Sequence, residues 1–561
     1  MRILGLSAYE QGGAAALVID GQPVAAASEE HYSRELGDPA FPRRALRACL
    51  RQVNLAPGEV DRVVFHTKPL RRFERVLFQE LTGFPKTARS FSKQMATWLG
   101  DRLWIRGRIA HELGVPLDRV GFCHQGAAQA CAALAIGGVR DAAVLVSDVH
   151  GEWAATCLFK AGPDGLELLD EQHAPHGLAP FLTAVALHLG LPAEDPLEGL
   201  SDLARWAPEP WEVEPGLTEL VTLDGAEGCV RVAPGVLAAG GELSSGPALE
   251  RLWGGARQPG DALEFKEGGR LHARRAASAL ALAGEVLGAQ ARRSLALAGG
   301  ERLVLAGEIA GAAALLGRQE VVGAAGEILA APGARHGLAA LGAALYAAWY
   351  DGDGASLAHF PALGCAPRLG EAVPDADEER PAALGECFER ARAVLDSGGL
   401  LGWVSGRGAL GRQAHAGRVI LAPLHDRGLA ALSERLLHAE EHRRPVLAVA
   451  RDDWAKWLVE PAPAVGLGCE RLWEATAALA EACPELVRPD GRVRAQAFEV
   501  LPDAGDWTPL LQPFGGALLM APLAGRGEPV VRTAEDALAL FERSEMDLLV
   551  IEGRAYETNG G

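Results

Sequence analysis

An internal repeat limits the folds that this sequence can adopt. Residues 2–30 contain ILGLS, a Gly-rich turn, AAALVID, a turn at residues 21–23, and VAAASEE. Residues 143–172 contain AVLVSD, a turn at residues 150–152, AATCLF, a turn at residues 162–165, and LELLDEQ. Each copy therefore has three short apolar segments separated by Gly-rich turns, which is the pattern of an antiparallel β-meander.

Each copy of the repeat is followed by a helical pattern, at residues 42–53 and residues 180–190. A repeated meander with helices between the copies predicts a duplicated α/β domain that closes over a cleft. The actin, hexokinase and Hsp70 ATPase folds are built in this way. The alternative is that the two segments are unrelated meanders in an alanine-rich chain.

The length of 561 residues exceeds what one hydrophobic core normally supports. A stretch rich in Pro, Gly and acidic residues at 351–383 predicts a linker. The expected organisation is an actin-like domain at 1–350, with lobes at about 1–140 and 141–350. A smaller α/β domain is expected at 384–561, with a helix over residues 384–395 and a buried strand over residues 399–405.

The formal net charge of −19 disfavours binding to a nucleic-acid backbone. The nine cysteines include no CxxC pair, and this indicates reduced thiols rather than a disulfide framework or a zinc site. The sequence begins without a signal-peptide pattern, and its apolar stretches fall short of the ~20 residues that a membrane span needs. We therefore expect a cytoplasmic protein that binds neither nucleic acid nor membrane.

Several segments then carry a family resemblance, in the family's order along nearly the whole chain. They are GLSAYE, AAALVIDGQPVAAASEEHYSR, DPAFPRRAL, AVLVSDVHGEWAAT, PHGLAPFLTAVALHLGL, ALGAALYA, GWVSGRGALG, GRVILA, DGRVRAQ and GRGEPVVRTAEDALALF. The sequence resembles the bacterial O-carbamoyltransferases of the nodulation-factor and antibiotic-tailoring type. In that family the amino-terminal part is actin-like and similar to the tRNA-threonylcarbamoyl transferase, and the carboxy-terminal part is YrdC-like.

The resemblance implies a two-step reaction. The carboxy-terminal domain would activate carbamoyl phosphate with ATP and Mg²⁺ to give carbamoyladenylate and pyrophosphate, which supplies a leaving group that basic residues can stabilise. The amino-terminal domain would then transfer the carbamoyl group to a hydroxyl of a small molecule. A metal ion, iron in the family, held by His and Asp would polarise the carbamoyl group as a Lewis acid.

The amino-terminal positions that the resemblance assigns to this chemistry are largely altered. Gln11 begins the triplet that replaces a His-Asp-Ser turn, and a His-His-x-x-His-Ala run falls on FCHQGA at residues 122–127. A shift of one residue would bring His124 into a ligand position, together with Asp148, which is retained, and His336 at the third ligand position. The resemblance thus implies a metal set of His124, Asp148 and His336, and cleft positions at Gln11, Asp148, Glu152 and His336.

The nucleotide positions are altered in the same way. In the loop that is normally Gly-Gly-x-x-x-Asn, Gly307 is kept but Glu308 introduces a negative charge, and the polar run before residues 527–529 is replaced by MAPLA. The positions that the resemblance assigns to nucleotide or phosphate are Gly307, Glu308, Arg407, Arg418, Arg494, Gln496, Arg526 and Glu528. The four arginines could bind a phosphate or could form ion pairs within an acidic protein.

Three functional hypotheses follow from this pattern. The segments that form the family's strands and helices are retained, while polar site residues are replaced by Gly, Ala, Met or Pro. The first hypothesis is therefore a catalytically impaired homologue. It would act as a partner or regulatory subunit of an intact carbamoyltransferase paralogue, in a homo- or heterodimer. The second is an active O-carbamoyltransferase with an altered metal site and a small-molecule hydroxyl acceptor. The third, an actin-like ATPase or phosphotransferase, is disfavoured because the sequence has no P-loop motif.

Overall fold

A computed structural model describes most of the chain. The described residues are 1–9, 12–163, 165–208, 210–224, 229–238, 243–258, 261, 271–330, 338–350, 371, 384–408, 417–435, 445–462, 472–500 and 507–557. The candidate site residues Gln11 and His336 lie outside this set, as does the predicted linker apart from Glu371. The predicted domain boundaries at this linker remain predictions.

The amino-terminal part alternates strands and helices. Its strands are β1 (Arg2–Ser7), β2 (Ala14–Ile19), β3 (Gln22–Ser28), β4 (Arg62–Phe65), β5 (Val120–Phe122), β6 (Ala142–Ser147), β7 (Ala154–Gly162), β8 (Gly165–His173), β9 (Val221–Asp224), β10 (Cys229–Val232), β11 (Arg302–Ala306) and β12 (Glu327–Ala330). Its helices are α1 (Glu30–Ser33), α2 (Arg43–Gln52), α3 (Pro69–Thr82), α4 (Ala88–Gly100), α5 (Ile105–Leu113), α6 (Gln125–Gly137), α7 (Leu178–His188), α8 (Pro196–Ala204), α9 (Pro215–Leu220), α10 (Pro247–Trp253), α11 (Leu271–Ala298), α12 (Ala313–Leu316), α13 (Gln319–Val322) and α14 (Leu338–Tyr350).

Two sheets in this part share one topology. The first has the strand order β3-β2-β1-β4-β5 and the second has the order β8-β7-β6-β11-β12. In both sheets the first three strands of the repeat pair antiparallel, and the next two strands pair parallel to the first. The internal repeat is therefore a structural duplication, and the amino-terminal part has the actin-like α/β architecture that the sequence predicted.

Helices cover the first sheet on both faces, which explains why its strands are almost continuously apolar. Along β1, Ile3 belongs to the apolar cluster that contains α14, whereas Leu4 and Leu6 belong to the cluster on the α2 side. Helix α6 packs against the second sheet, and α6 and α14 pack on each other between the lobes. This approach is so close that a Cβ atom on Gly342 of α14 would overlap the carbonyl oxygen of Ala128 of α6.

The carboxy-terminal part is a separate α/β unit. Its strands are β13 (Leu401–Val404), β14 (Arg418–Pro423), β15 (Val446–Ala450), β16 (Leu472–Glu474), β17 (Arg492–Phe498), β18 (Ala517–Pro522), β19 (Leu548–Ile551) and β20 (Arg554–Glu557). Its helices are α15 (Leu384–Asp396), α16 (Asp426–Arg435), α17 (Trp454–Trp457), α18 (Ala477–Ala482) and α19 (Ala534–Arg543). The strands form one mixed sheet with the order β16-β17-β15-β18-β14-β13-β19-β20.

The two parts are joined by buried polar contacts. Arg205, which follows α8, donates a hydrogen bond from Nε to Asp490 at 3.1 Å, and both side chains are almost fully buried. On another side, the guanidinium of Arg34 donates to the carbonyl oxygens of Pro529 and Val530, each at 2.9 Å.

Among the described residues, we find no helix with the length and hydropathy that a bilayer span requires.

Candidate functional site

Asp148 follows β6 and lies at the start of the second hairpin turn. Its Oδ2 accepts a hydrogen bond from the side-chain amide of Gln129 at 2.6 Å, and its Oδ1 accepts one from the backbone N–H of His150 at 2.6 Å. The carboxylate is 4% exposed. Both oxygens of the retained aspartate are therefore engaged with the protein, one with helix α6 and one with its own turn.

Glu152, from the same turn, caps helix α6. Its carboxylate accepts hydrogen bonds from the backbone N–H of Gln125, the first residue of that helix, at 3.1 Å and from the N–H of Lys68 at 3.0 Å. The first N–H groups of a helix lack partners within the helix, and a negative charge is favourable at that end. The burial of the Glu152 carboxylate is thus explained by its hydrogen bonds to these backbone N–H groups.

Two arginines of helix α3 hold the turn that carries these carboxylates. Arg75 donates to the carbonyl oxygens of Gly151 at 2.6 Å and Val149 at 3.2 Å, and Arg72 donates to those of His150 and Gly151. Both guanidinium groups are buried. Neither arginine can be singled out from the sequence, because a helix with an apolar side and several arginines has no motif that marks which cation is buried.

Helix α6 is preceded by His124, whose ring lies among the residues of the β7–β8 hairpin. His124 Nε2 lies 3.7 Å from Glu152 Oε2 and 3.8 Å from Glu171 Oε2. One ligand atom from each of His124, Cys157 and Glu171 lies within 4.8 Å of the other two. Within the described part of the chain, this is the one group of three or more His, Cys, Asp or Glu ligand atoms that meets this distance, and it does not include Asp148.

The described residues include two of the three metal ligands that the resemblance implies, His124 and Asp148. Asp148 is bound to Gln129 and His150, whereas His124 lies beside a thiol and two other carboxylates. His336 is outside the described residues. The ligand set of His124, Asp148 and His336 stays a prediction.

The loop that the resemblance assigns to nucleotide is packed tightly against the end of β6. Gly307 has a φ of +78°, and a Cβ atom on it would lie 2.5 Å from the carbonyl oxygen of Ser147, so only glycine fits there. Glu308 is 6% exposed; its Oε2 accepts from the hydroxyl of Thr183 at 3.3 Å, and its Oε1 lies 3.7 Å from His150 Nε2. A second carboxylate therefore lies in the same region as Asp148.

In the carboxy-terminal part, Arg418 is a buried structural residue. Its guanidinium donates to the carbonyl oxygens of Ser405 at 2.7 Å, Gly417 at 2.8 Å and Gly406 at 2.9 Å. Arg407, which follows β13, donates to the carbonyl oxygen of Val24 in the amino-terminal part at 2.9 Å, and burial lowers the pKa of its guanidinium.

The remaining predicted nucleotide residues fall into two places. Arg494 on β17 forms ion pairs with Glu198 and, at 3.5 Å, with Asp202, both from α8. Gln496 on the same strand is buried, and its Oε1 has no hydrogen-bond partner among the described residues. These side chains thus lie at the contact between the two domains.

Arg526 and Glu528 lie in the loop between β18 and α19. The side chain of Arg526 is exposed. The carboxylate of Glu528 accepts two hydrogen bonds from the Arg543 guanidinium, one of them at 2.6 Å, and this pairing holds the pKa of Glu528 below its usual value. Arg407, Arg418, Arg494 and Arg526 are therefore spread over several contacts, and the first three have partners within the protein.

The cysteines near the site are buried thiols. Burial raises the pKa of Cys123, and the carboxylate of Glu152 adds to this effect. Burial likewise raises the pKa of Cys157, with further contributions from Glu171, Glu152 and Asp148. A raised thiol pKa disfavours the nucleophilic thiolate form of both residues.

Comparisons with known proteins identify both parts of the chain. The family described as "Carbamoyltransferase N-terminus" matches residues 2–193, and "Carbamoyltransferase C-terminus" matches residues 392–557. The uncharacterized protein sll1178 of Synechocystis sp. is 29% identical over 605 residues, covering 98% of this chain and 95% of that protein. The nodulation protein NolNO of Sinorhizobium fredii is 26% identical over 436 residues, covering 74% of this chain and 58% of that protein.

Similarity to solved structures is weak. The activator of the 2-hydroxyisocaproyl-CoA dehydratase from Clostridium difficile with bound ADPNP has a TM-score of 0.32 and 14% identity, covering 62% of this chain and 94% of its own. HypF of T. kodakarensis has a TM-score of 0.31 and 14% identity, covering 62% of this chain and 48% of its own. The family matches at both ends, in the predicted order, lead to the conclusion that this chain belongs to the carbamoyltransferase family.

Proposed function

We propose that this chain is a carbamoyltransferase homologue that does not complete the family's reaction by itself and acts as a partner or regulatory subunit of an intact carbamoyltransferase. The observation that carries the proposal is that both carboxylate oxygens of Asp148 already accept hydrogen bonds from the protein. A metal ion at this carboxylate would compete with the 2.6 Å hydrogen bond from Gln129 and the 2.6 Å hydrogen bond from the His150 N–H. Breaking hydrogen bonds to a buried carboxylate is costly, by about 1.5–3 kcal/mol for each charged bond.

The charge of the cleft supports the same proposal. Glu308 and Asp148 are both buried, and His150 contacts both residues. Triphosphate and acyl phosphate are anions, and a buried carboxylate at the nucleotide loop repels them in a low-dielectric site. Since Gly307 cannot move away from Ser147 without changing the turn, Glu308 stays close to the end of β6.

The arginines of the carboxy-terminal domain also support it. Arg418 already makes three hydrogen bonds to backbone carbonyls, and Arg494 pairs with two carboxylates of the other domain. A phosphate would have to replace these partners to bind there. The guanidinium groups therefore contribute to domain structure and docking rather than to an open anion site.

The partner role is supported by an exposed apolar stripe on helix α3. Leu70, Phe78 and Leu81 are 64%, 55% and 58% exposed. Their spacing of 8 and 3 residues places them on one face of the helix. Phe84, just after the helix, is 70% exposed. Several exposed apolar side chains on one face of a helix are typical of interaction surfaces.

A nucleotide-binding measurement tests the proposal that the chain is catalytically impaired. In equilibrium dialysis with ATP and Mg²⁺, we expect no saturable binding by the full chain under conditions in which a family member with the intact His-His-x-x-His-Ala run saturates. Saturable binding that is lost on Arg418→Ala or Arg494→Ala, in protein that remains folded, would contradict the proposal. It would favour the second hypothesis, an active O-carbamoyltransferase.

Association tests the partner role. We expect the full chain to form a heteromer with an intact family member from the same source, detected by sedimentation velocity, and to change that enzyme's carbamoyl transfer rate. Leu81→Asp on the α3 stripe should weaken this association, whereas Leu297→Asp, a comparably exposed leucine on α11, should not. Equal behaviour of the two variants, or no heteromer at all, would contradict the partner role.

A further inference from the structure

The β7–β8 hairpin and the start of helix α6 bring three different metal-binding side chains together. Cys157 on β7 and Glu171 on β8 are direct cross-strand partners, so their side chains project from the same face of the sheet. His124 approaches them from the residue before α6, and one ligand atom of each residue lies within 4.8 Å of the other two. Three separate elements of the chain thus converge on one point.

Because Gly126 has no side chain, the His124 ring and the Cys157 thiol can approach each other beside it. A Cβ atom on Gly126 would lie 2.9 Å from Cys157 Sγ and 3.2 Å from the His124 ring atoms Cε1 and Nδ1. The His124 ring and the Cys157 thiol therefore occupy the volume that any larger residue at position 126 would need. The cluster therefore depends on glycine at position 126, which is the second residue of α6.

The surroundings of the cluster favour a cation. Glu152 Oε2 lies 3.7 Å from His124 Nε2, so two carboxylates face the same imidazole. Nδ1 of His124 is buried and has no hydrogen-bond partner among the described residues. Glu171 Oε1 lies 2.8 Å from His173 Nε2, which orients the carboxylate in the way that outer-sphere partners orient metal ligands.

We propose that His124, Cys157 and Glu171 form a Zn²⁺ site. One nitrogen, one sulfur and one oxygen ligand suit zinc, which binds thiolate, imidazole and carboxylate in tetrahedral geometry. This ligand set differs from the His124, Asp148 and His336 set that the resemblance implies. It also goes beyond the proposed function, because zinc binding here requires neither nucleotide nor carbamoyl transfer.

Zinc binding at this site would release a proton. Zinc binds cysteine as the thiolate, so the thiol proton of Cys157 would pass to solvent when the zinc–sulfur bond forms. The ion would also tie the β7–β8 hairpin to the start of α6.

The test uses the purified full chain incubated with Zn²⁺ and then dialysed, with metal content measured by mass spectrometry. We expect about one zinc per chain, and Co²⁺ in its place should give a sulfur-to-cobalt charge-transfer band in the near ultraviolet. Cys157→Ser should abolish this band, whereas Cys131→Ser, a buried cysteine of α6 outside the cluster, should keep it. His173→Ala should weaken zinc binding by about 10- to 100-fold.

Glu171→Gln provides a second ligand variant if Cys157→Ser does not fold, because the Glu171 side chain is exposed. It should lower zinc affinity while leaving the melting temperature of the metal-free protein unchanged. The proposal is overturned if the wild-type chain holds no zinc, or if its cobalt form lacks the sulfur band. It is also overturned if Asp148→Asn loses the metal while Cys157→Ser keeps it, which would assign the metal to the set that the resemblance implies.

Discussion

Glu152 caps helix α6 by accepting a hydrogen bond from the backbone N–H of Gln125 at 3.1 Å. Glu152 belongs to the second lobe, and it also accepts from the N–H of Lys68, which follows β4 in the first lobe. One carboxylate therefore joins the turn after β6, the start of α6 and the start of α3. This is a structural role for a residue that the resemblance assigned to the cleft.

Replacing Glu152 should destabilise the protein. Glu152→Ala leaves two buried N–H groups without an acceptor, so we expect the free energy of unfolding to fall by about 1–3 kcal/mol. Urea denaturation of the full chain measures this change. Glu285→Ala, at an exposed position of helix α11, is the matched control and should change stability by less than about 0.5 kcal/mol. A loss no larger than the control's would show that the cap contributes nothing.

Two glycine-to-alanine substitutions in helices should have opposite effects. Gly342→Ala in α14 would place a methyl group against the backbone of Ala128, which cannot yield locally, so we expect a loss of about 1–3 kcal/mol or more. Gly284→Ala in α11 meets only the flexible side chain of Arg318, at 3.3 Å from Nε, and should gain up to about 1 kcal/mol from helix propensity. Differential scanning calorimetry of both variants compares them directly. A stabilised Gly342→Ala would mean that α6 and α14 are not in close contact.

The ion pairs of Arg494 should be important for docking of the two domains. Its side chain and that of Asp202 are 9% and 4% exposed, and Arg494→Ala would leave the carboxylates of Glu198 and Asp202 without their cation. Loss of one member of a buried pair typically costs about 3–5 kcal/mol. We expect calorimetry to show a lower melting temperature or separate unfolding of the two domains.

Arg302→Ala is the control for this substitution. Arg302 pairs with Glu327 at 2.5 Å, but both side chains are nearly half exposed, and such surface pairs contribute only about 0–1 kcal/mol. Equal effects of the two substitutions would contradict a docking role for Arg494.

His188 should make stability depend on pH. Burial lowers the pKa of His188, Arg275 and His272 lower it further, and Glu250 opposes them. The unfolded chain therefore takes up a proton near pH 6.5 while the folded chain does not, so stability is present above that pH and falls as the pH drops below it. Urea denaturation between about pH 7.5 and pH 5 measures the slope. His188→Gln should reduce the slope; an unchanged slope would exclude His188 as its source.

The fold could be predicted from the sequence because its strands and helices are indicated by residues that are close together in the chain. The apolar segments of residues 2–30 and 143–172 became β1–β3 and β6–β8, and the helical pattern at residues 42–53 became α2 (Arg43–Gln52). The helix predicted at 384–395 is α15 (Leu384–Asp396). Short apolar runs bounded by turn residues indicate such elements directly.

The contacts of the site could not be predicted in the same way. The sequence shows that Arg418 and Arg494 are present, but not that backbone carbonyls and the carboxylates of α8 take up their hydrogen-bonding capacity. The grouping of Cys157 with Glu171 depends on the register of β7 against β8, and His124 joins them from a distant element. Cysteine spacing alone indicated no zinc site, because spacing detects only ligands that are close in sequence.

The central claim is that this carbamoyltransferase homologue does not activate carbamoyl phosphate by itself. Pyrophosphate release from the purified, folded chain, given ATP, Mg²⁺ and carbamoyl phosphate, tests it most directly, because adenylation needs no acceptor. An intact family member serves as the parallel control. We predict no release above the protein-free background. Release at a rate near that of the control would contradict the claim and identify the chain as an active carbamoyltransferase.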